Sequence, residues 1–153
     1  MRSLAMAVLS LALACATPAL PVDELVVREL AYGRYHGPAD SRKHAATTDQ
    51  VPCELRAAFG TRVALEFEEG RELDLPLKIA IDRDWGPGDR SERTEFPDGP
   101  FQVPNEGQVA HLDIVISLDE RADLVDSDFT IQFFDPANDH VYTERTFNLR
   151  GCR

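Results

Sequence analysis

The residues best suited to chemistry or recognition in this 153-residue chain are three cysteines, four histidines and a single tryptophan. A nucleophilic serine requires an elbow such as G-x-S-x-G, or a histidine and an aspartate placed to activate it. Ser91, Ser117 and Ser127 have no such context. A catalytic thiol requires a nearby base or positive charge that favours the thiolate, yet Cys53 is followed by Glu54, whose charge opposes it. His36, His44, His111 and His140 show neither H-x-H nor H-E-x-x-H spacing, which leaves open only a site assembled from His36, His44 and acidic neighbours. In "DRDWGPGD" the carboxylates Asp82, Asp84 and Asp89 invite comparison with a calcium loop. An EF-hand counted from Asp82 would need Gly and Glu where the chain has Pro87 and Arg93. An irregular calcium site in that loop stays open, and no catalytic residue, metal ligand or cofactor is assigned. Trp85, flanked by Gly86, Pro87 and Gly88 in the same loop, is the binding candidate. The competing reading has Trp85 fold back to cap the end of the fold.

The cysteines carry more information once the N-terminus is considered. "MRSLAMAVLSLALACA" has one positive residue, Arg2, followed by an apolar run well short of the ~20 residues that a membrane-crossing helix needs. Residues 1–16 therefore read as a signal peptide, residues 17–24 as a linker and residues 25–153 as one domain. Ala14-Cys15-Ala16 forms an A-x-A cleavage site that would leave a mature chain starting near Thr17. Alternatively, Cys15 resembles the lipid-modified cysteine of a bacterial lipoprotein, although Ala12 stands where that signal usually has Leu. The expected location is periplasmic or secreted, with an outer-membrane lipoprotein anchored at Cys15 as the alternative. Either way, Cys53 and Cys152 remain as a pair in an oxidising setting, and a disulfide is expected between them. Such a bond closes a loop of about 100 residues, for which chain entropy gives ~4.7 kcal/mol. Two buried free thiols are the alternative.

Twenty-seven acidic residues against 16 basic ones give a net charge of −11, which opposes binding to a phosphate backbone or an anionic membrane surface. Nucleic acid is excluded as a partner on this ground. No apolar run after the signal is long enough for a transmembrane segment.

The elements that must position these residues are strands, because period-two alternation dominates the chain. In "FGTRVALEF", Phe59, Thr61, Val63, Leu65 and Phe67 share a face opposite Arg62, Ala64 and Glu66. In "LDLPLKIAI", Leu73, Leu75, Leu77, Ile79 and Ile81 oppose Asp74, Pro76, Lys78 and Ala80. The short acidic "EEGRE" between these runs predicts a β-hairpin, with Pro76 at an edge or bulge. "VAHLDIVISLD" turns Leu112, Ile114, Ile116 and Leu118 inward, and "DFTIQFFD", "PAND" and "HVYTERTFNL" predict a C-terminal hairpin. The first strand lies in "ELVVRELAYGRYHG", where Gly33 marks a bulge or a close backbone approach. A short strand is expected near Thr47, and another at "SERTEF" within the long loop region 82–108. The fold class that follows is all-β, an antiparallel immunoglobulin-like β-sandwich of about seven strands, without the Cys-Trp-Cys pattern of true immunoglobulin domains.

"AYGRY", "VPCELRAAFGTRVALEF" and "DLVDSDFTIQFFD" with its return strand together resemble a family of small exported bacterial proteins, domain of unknown function three-eight-five-nine. The family's last hairpin usually reads L-x-P-G-x-W-x-F-x-I. Here Leu124 matches, Asp126-Ser127 replace Pro-Gly, and Phe129 stands in for Trp. The resemblance spans roughly residues 25–149, implies an immunoglobulin-like sandwich and brings no catalytic residues. The function expected is a non-enzymatic exported module that binds a protein or envelope component through loops, chiefly residues 82–108. The alternatives are a small metal-dependent or hydrolytic enzyme with a loop-built site, and a purely structural envelope protein.

Overall fold

A computed structural model describes residues 25–66, 74–75, 77–88, 90–99, 101–102 and 109–152. Residues 1–24, read above as signal peptide and linker and including Cys15, lie outside the described residues, as do Phe67, Leu73, Pro76, Asp89, the "EEGRE" segment and most of 100–108. Seven longer strands form the frame: β1 (Val26–His36), β4 (Ala58–Glu66), β6 (Lys78–Asp84), β7 (Ser91–Phe96), β9 (Val109–Ser117), β10 (Ser127–Asp135) and β11 (His140–Arg150). Four short ones supplement them: β2 (Lys43–Ala46), β3 (Gln50–Pro52), β5 (Asp74–Leu75) and β8 (Phe101–Gln102). One sheet has the order β2-β1-β4-β9, the other β3-β11-β10-β6-β7, and β5 pairs with β8 in a small third sheet. The all-β sandwich expected from the alternation is the architecture observed. All pairings are antiparallel except β3 with β11, where Val51 lies beside Leu149 in parallel.

The core forms where the two sheets turn their alternating residues toward each other. Phe59, Val63 and Leu65 of β4 are fully buried against Ile131 and Phe133 of β10 and Phe147 and Leu149 of β11. The Phe59 ring meets Phe129 at 5.2 Å and Phe147 at 5.3 Å between centroids, tying the sheets across their middle. Ala64, expected to face out with Arg62 and Glu66, is also buried, because β4 is flanked by β1 and β9 and its small side chain is covered by neighbours. At one flank Arg145 of β11 reaches across to pair with Glu29 of β1, its guanidinium 3.9 Å from the centre of the Tyr32 ring.

The expected hairpin between "FGTRVALEF" and "LDLPLKIAI" does not form. β4 has both hydrogen-bonding edges occupied by β1 and β9, so the chain crosses to the other sheet, where β6 pairs with β10 and β7. The second run is moreover two strands, β5, paired with β8, and β6, in the larger sheet. The close approach expected at Gly33 is present. Its φ is +137°, and a Cβ there would stand 1.9 Å from the Ala46 carbonyl oxygen of β2.

Register decides which loops share an end. β6 finishes where Asp84 opposes Asp128 at the start of β10, and β11 finishes where Arg150 lies beside Pro52. In the other sheet, Ala58 at the start of β4 opposes both Tyr35 and Ser117, the ends of β1 and β9. Cys53 and Cys152 are bonded, with Cα atoms 5.1 Å apart, and join the ends of the neighbouring strands β3 and β11 at that same end. The loops 37–42, 53–57, 85–90 and 118–126 therefore gather at one pole.

Candidate functional site

The pole is built from four local conformations. In the turn after Cys53, Ala57 N–H donates to the Glu54 carbonyl at 3.1 Å, and Arg56 takes φ +67°. A non-glycine residue holds that left-handed conformation only when its surroundings fix it. Here the fixing bonds run to the β9 end: Arg56 N–H donates to the Leu118 carbonyl at 2.8 Å, and Leu118 N–H to the Ala57 carbonyl at 3.0 Å. The connection from β9 to β10 contains a 3₁₀ turn, Arg121–Asp123, opened by Glu120 in a reciprocal capping box with Asp123. Cys152 N–H donates to the Asp126 carboxylate at 2.8 Å, closing the tail onto this connection.

Trp85 lies at this pole, immediately after β6, and is half-buried. Its indole is held between two guanidinium groups, Arg83 at 4.7 Å and Arg90 at 4.6 Å from the ring centre. Arg83 also stacks on Phe129 at 4.7 Å, so a ladder of alternating rings and cations runs from core to surface. Arg83 donates to the Asp123 carbonyl at 2.7 Å and to the Ser127 hydroxyl at 3.2 Å. Burial pushes the Arg83 pKa down, an effect opposed by the Asp123 charge. The ladder orders the tip and leaves Arg90 exposed at its outer end. The Trp85 ring is anchored inward through Arg83 and reaches the surface beside Arg90.

Beside the tip, a cleft of about 490 Å³ opens between the 36–39 loop, the 54–58 turn and the β9 end. Arg34, Arg42 and Arg56 line it together with Glu54, Asp119, Leu55 and His36. Tyr35 lies at its inner wall, and burial, followed by the Asp113 and Glu29 charges and opposed by Arg62, raises the phenol pKa above the ordinary tyrosine value. Nothing in the sequence singled out Tyr35, because it reads as one more strand aromatic. The signal for the Trp85 ladder was present in Arg83-x-Trp85, two residues on one face of a strand end, with Arg90 returning from the turn.

The remaining sequence candidates are dispersed. Asp82 pairs with Arg93 at 2.7 Å, and the Asp84 carboxylate accepts the Gly86 N–H at 2.9 Å. His44 lies 2.9 Å from the Tyr32 carbonyl, His111 is exposed on β9, and His140 stacks edge-on against Tyr142 at 5.0 Å. Among the described residues no three His, Cys, Asp or Glu side chains converge in a way that could hold a metal ion. No described helix is long and apolar enough to cross a membrane.

No family model matches the chain, and no curated protein matches it in sequence. The resemblance to the domain-of-unknown-function family is therefore supported only at the level of the fold. Solved structures do match, among them the crystal structure of an immunoglobulin-like protein from Pseudomonas aeruginosa, 21% identical, with a TM-score of 0.59. The match covers 81% of this chain and 96% of that one. At that identity the likeness shows a shared fold, and the chain is an immunoglobulin-like β-sandwich.

Proposed function

We propose that the protein is an exported, non-enzymatic module that binds a protein or another envelope component through the loops of one pole, with Trp85 within the contact. The observation that carries this reading is the distribution of unpaired arginines. Arg28, Arg34, Arg62, Arg83, Arg93, Arg145 and Arg150 each lie within 4 Å of a carboxylate. Among the described residues Arg42, Arg56, Arg90 and Arg121 have no such partner, and all four lie on the loops of this pole. In a chain of net charge −11, internal carboxylates are plentiful. Among the unpaired arginines, Arg90 lies over the ordered Trp85 ring at 4.6 Å, and arginine with tryptophan are residue types that dominate binding hot spots. The disulfide is compatible with export.

The test is site-specific photo-crosslinking in the producing cell, with the probe at Leu55 on the pole or at Val141 near the opposite end, both exposed. The expected outcome is a discrete adduct from Leu55, absent from Val141 and lost on Trp85→Ala. Equal adducts from both positions would refute the pole. Turnover of an envelope polymer, abolished by a single side-chain change, would refute a non-enzymatic role.

A further inference from the structure

The loop after β1 folds back over the outer face of the first sheet and buries Tyr35 there, outside the main core cluster. Tyr35 is 5% exposed, its ring edge-on to His44 at 5.6 Å. Its hydroxyl has no hydrogen-bond partner among the described residues, and the same holds for the buried Nε of Arg42. Both side chains line the 490 Å³ cleft and an adjoining recess of about 290 Å³. A phenol or guanidinium N–H buried without an acceptor is costly, and native proteins rarely leave two such donors together.

Of the nearby acceptors, Asp40 in the recess receives the Ser41 hydroxyl at 3.5 Å and neither orphaned donor, and the others have partners of their own. Asp113 takes both Arg62 donors at 2.6 and 2.7 Å, Glu54 sits 3.8 Å from Arg34, and Asp119 accepts the Ser117 hydroxyl at 3.0 Å. The larger cleft has three arginines against two carboxylates, and the adjoining recess adds Asp40 and an Asp113 already paired with Arg62, so the local positive charge is small and suits a monoanion better than a dianion. Its wall is apolar at Pro38, Ala39, Leu55, Ala57 and Ala58.

We propose that this cleft binds a carboxylate joined to a short apolar group, with Arg42 and the Tyr35 hydroxyl donating to the carboxylate oxygens and Leu55 and Ala58 covering the apolar part. A guanidinium fork and a carboxylate match in geometry, and the phenol adds a third donor from the side. The chemistry is shared by the C-terminus of a peptide and by a free short-chain acid. This assignment rests on the cleft alone and does not require a partner at the Trp85 tip.

The experiment is a titration of the isotope-labelled protein, as its cell processes it, with N-acetylalanine, N-acetylalanine amide, butyrate and inorganic phosphate, followed through backbone amide shifts. Either carboxylate is expected to move residues 34–42 and 55–58, while the amide is inert. Tighter binding of N-acetylalanine identifies a peptide terminus, and tighter binding of butyrate a free acid. Arg42→Gln should weaken the better carboxylate roughly tenfold or more. Tyr35→Phe should weaken it several-fold while leaving the free protein at least as stable, which a purely structural tyrosine would not show. Trp85→Ala should leave carboxylate affinity unchanged, so failure here is distinguishable from loss of a partner at the tip. Absence of carboxylate shifts, equal binding of the amide, tighter binding of phosphate, or an Arg42→Gln protein that binds normally would each overturn the assignment.

Discussion

Reducing the Cys53–Cys152 bond should cost the protein a third or more of its stability. The two cysteines are 99 positions apart, so the bond closes most of the domain into one loop. Chain entropy for a loop of about 100 residues gives ~4.7 kcal/mol, and removal of native disulfides from small secreted domains typically costs about 2–5 kcal/mol. Against a total of about 5–15 kcal/mol, the reduced protein should melt roughly 10–20 °C lower. The comparison is urea unfolding of oxidised and reduced wild type, which leaves both sulfur atoms packed in place. Cys53→Ala with Cys152→Ala serves as a second, thiol-free test. Because the cross-link acts on the denatured ensemble, the dependence of stability on urea should also steepen when it is removed.

The loss should not be uniform in the native state. β3 pairs with β11 over only three positions, supported by Asn148 N–H donating to the Asp49 carbonyl at 2.8 Å. Hydrogen exchange in the reduced protein should therefore speed up first at Val51 and Leu149, while β10 keeps its protection. A stability loss below about 1 kcal/mol with an unchanged urea slope would refute the reasoning, because it would mean that the denatured chain already holds its ends together without the bond.

Gly60→Ala should be severely destabilising, by about 3 kcal/mol or more, since its Cβ would stand 1.9 Å from the Ile114 carbonyl of the paired strand; thermal unfolding reads this, and a near-native midpoint would contradict it. Trp85→Ala should cost about 2 kcal/mol through two lost cation–π contacts and a half-buried ring, and should release Arg90, measurable as sharper side-chain resonances of that residue. Tyr35 and Tyr142 have phenol pKa values raised chiefly by burial, so the folded state favours their neutral forms. That contribution is complete below the unfolded value of about 10 and is lost as pH rises through the folded values, so the urea midpoint should fall on the alkaline side. A Tyr35→Phe, Tyr142→Phe protein whose urea midpoint falls on the alkaline side as much as that of wild type would refute this.

The parts of the fold legible in the sequence were those fixed by local alternation. Phe59, Val63 and Leu65, like Phe129, Ile131 and Phe133, declare an inward face without reference to any partner, and all are buried. Partner choice is a different matter. The runs around β4 and β6 alternate equally well and sit close in sequence, yet belong to different sheets, because nothing in a strand's own pattern records that β1 and β9 already occupy both of its edges. The disulfide was legible from cysteine arithmetic once the first cysteine was set aside with the signal. Asp135 shows the opposite case. Its charge suggests solvent, yet it is 1% exposed, with its carboxylate engaged by the Ala137 N–H at 2.8 Å in the turn to β11. The cleft was illegible for a related reason: Tyr35 and Arg42 meet only because the hairpin loop returns over the sheet, and no spacing rule encodes that return.

The sheet edges argue further for action through the pole. A sandwich can also bind by adding a partner's strand to an exposed edge, and its two main sheets have four edges among the described residues. β2 and β3 are four and three residues long, too short to template an extended segment. β7 presents "SERTEF", and Arg93 there bridges Asp82, Glu95 and the Gln132 side chain, drawing charged groups across the edge. β9 carries Asp113 locked to Arg62 and an exposed His111 on its outward face. Each edge thus carries a device that natural sheets use against strand addition. With the edges blunted and the core faces turned to each other, the pole is a described surface where an ordered aromatic ring and a cation stacked on it, Trp85 and Arg90, reach solvent. In the binding role proposed above, side chains of the pole's loops rather than main-chain pairing would carry the contact.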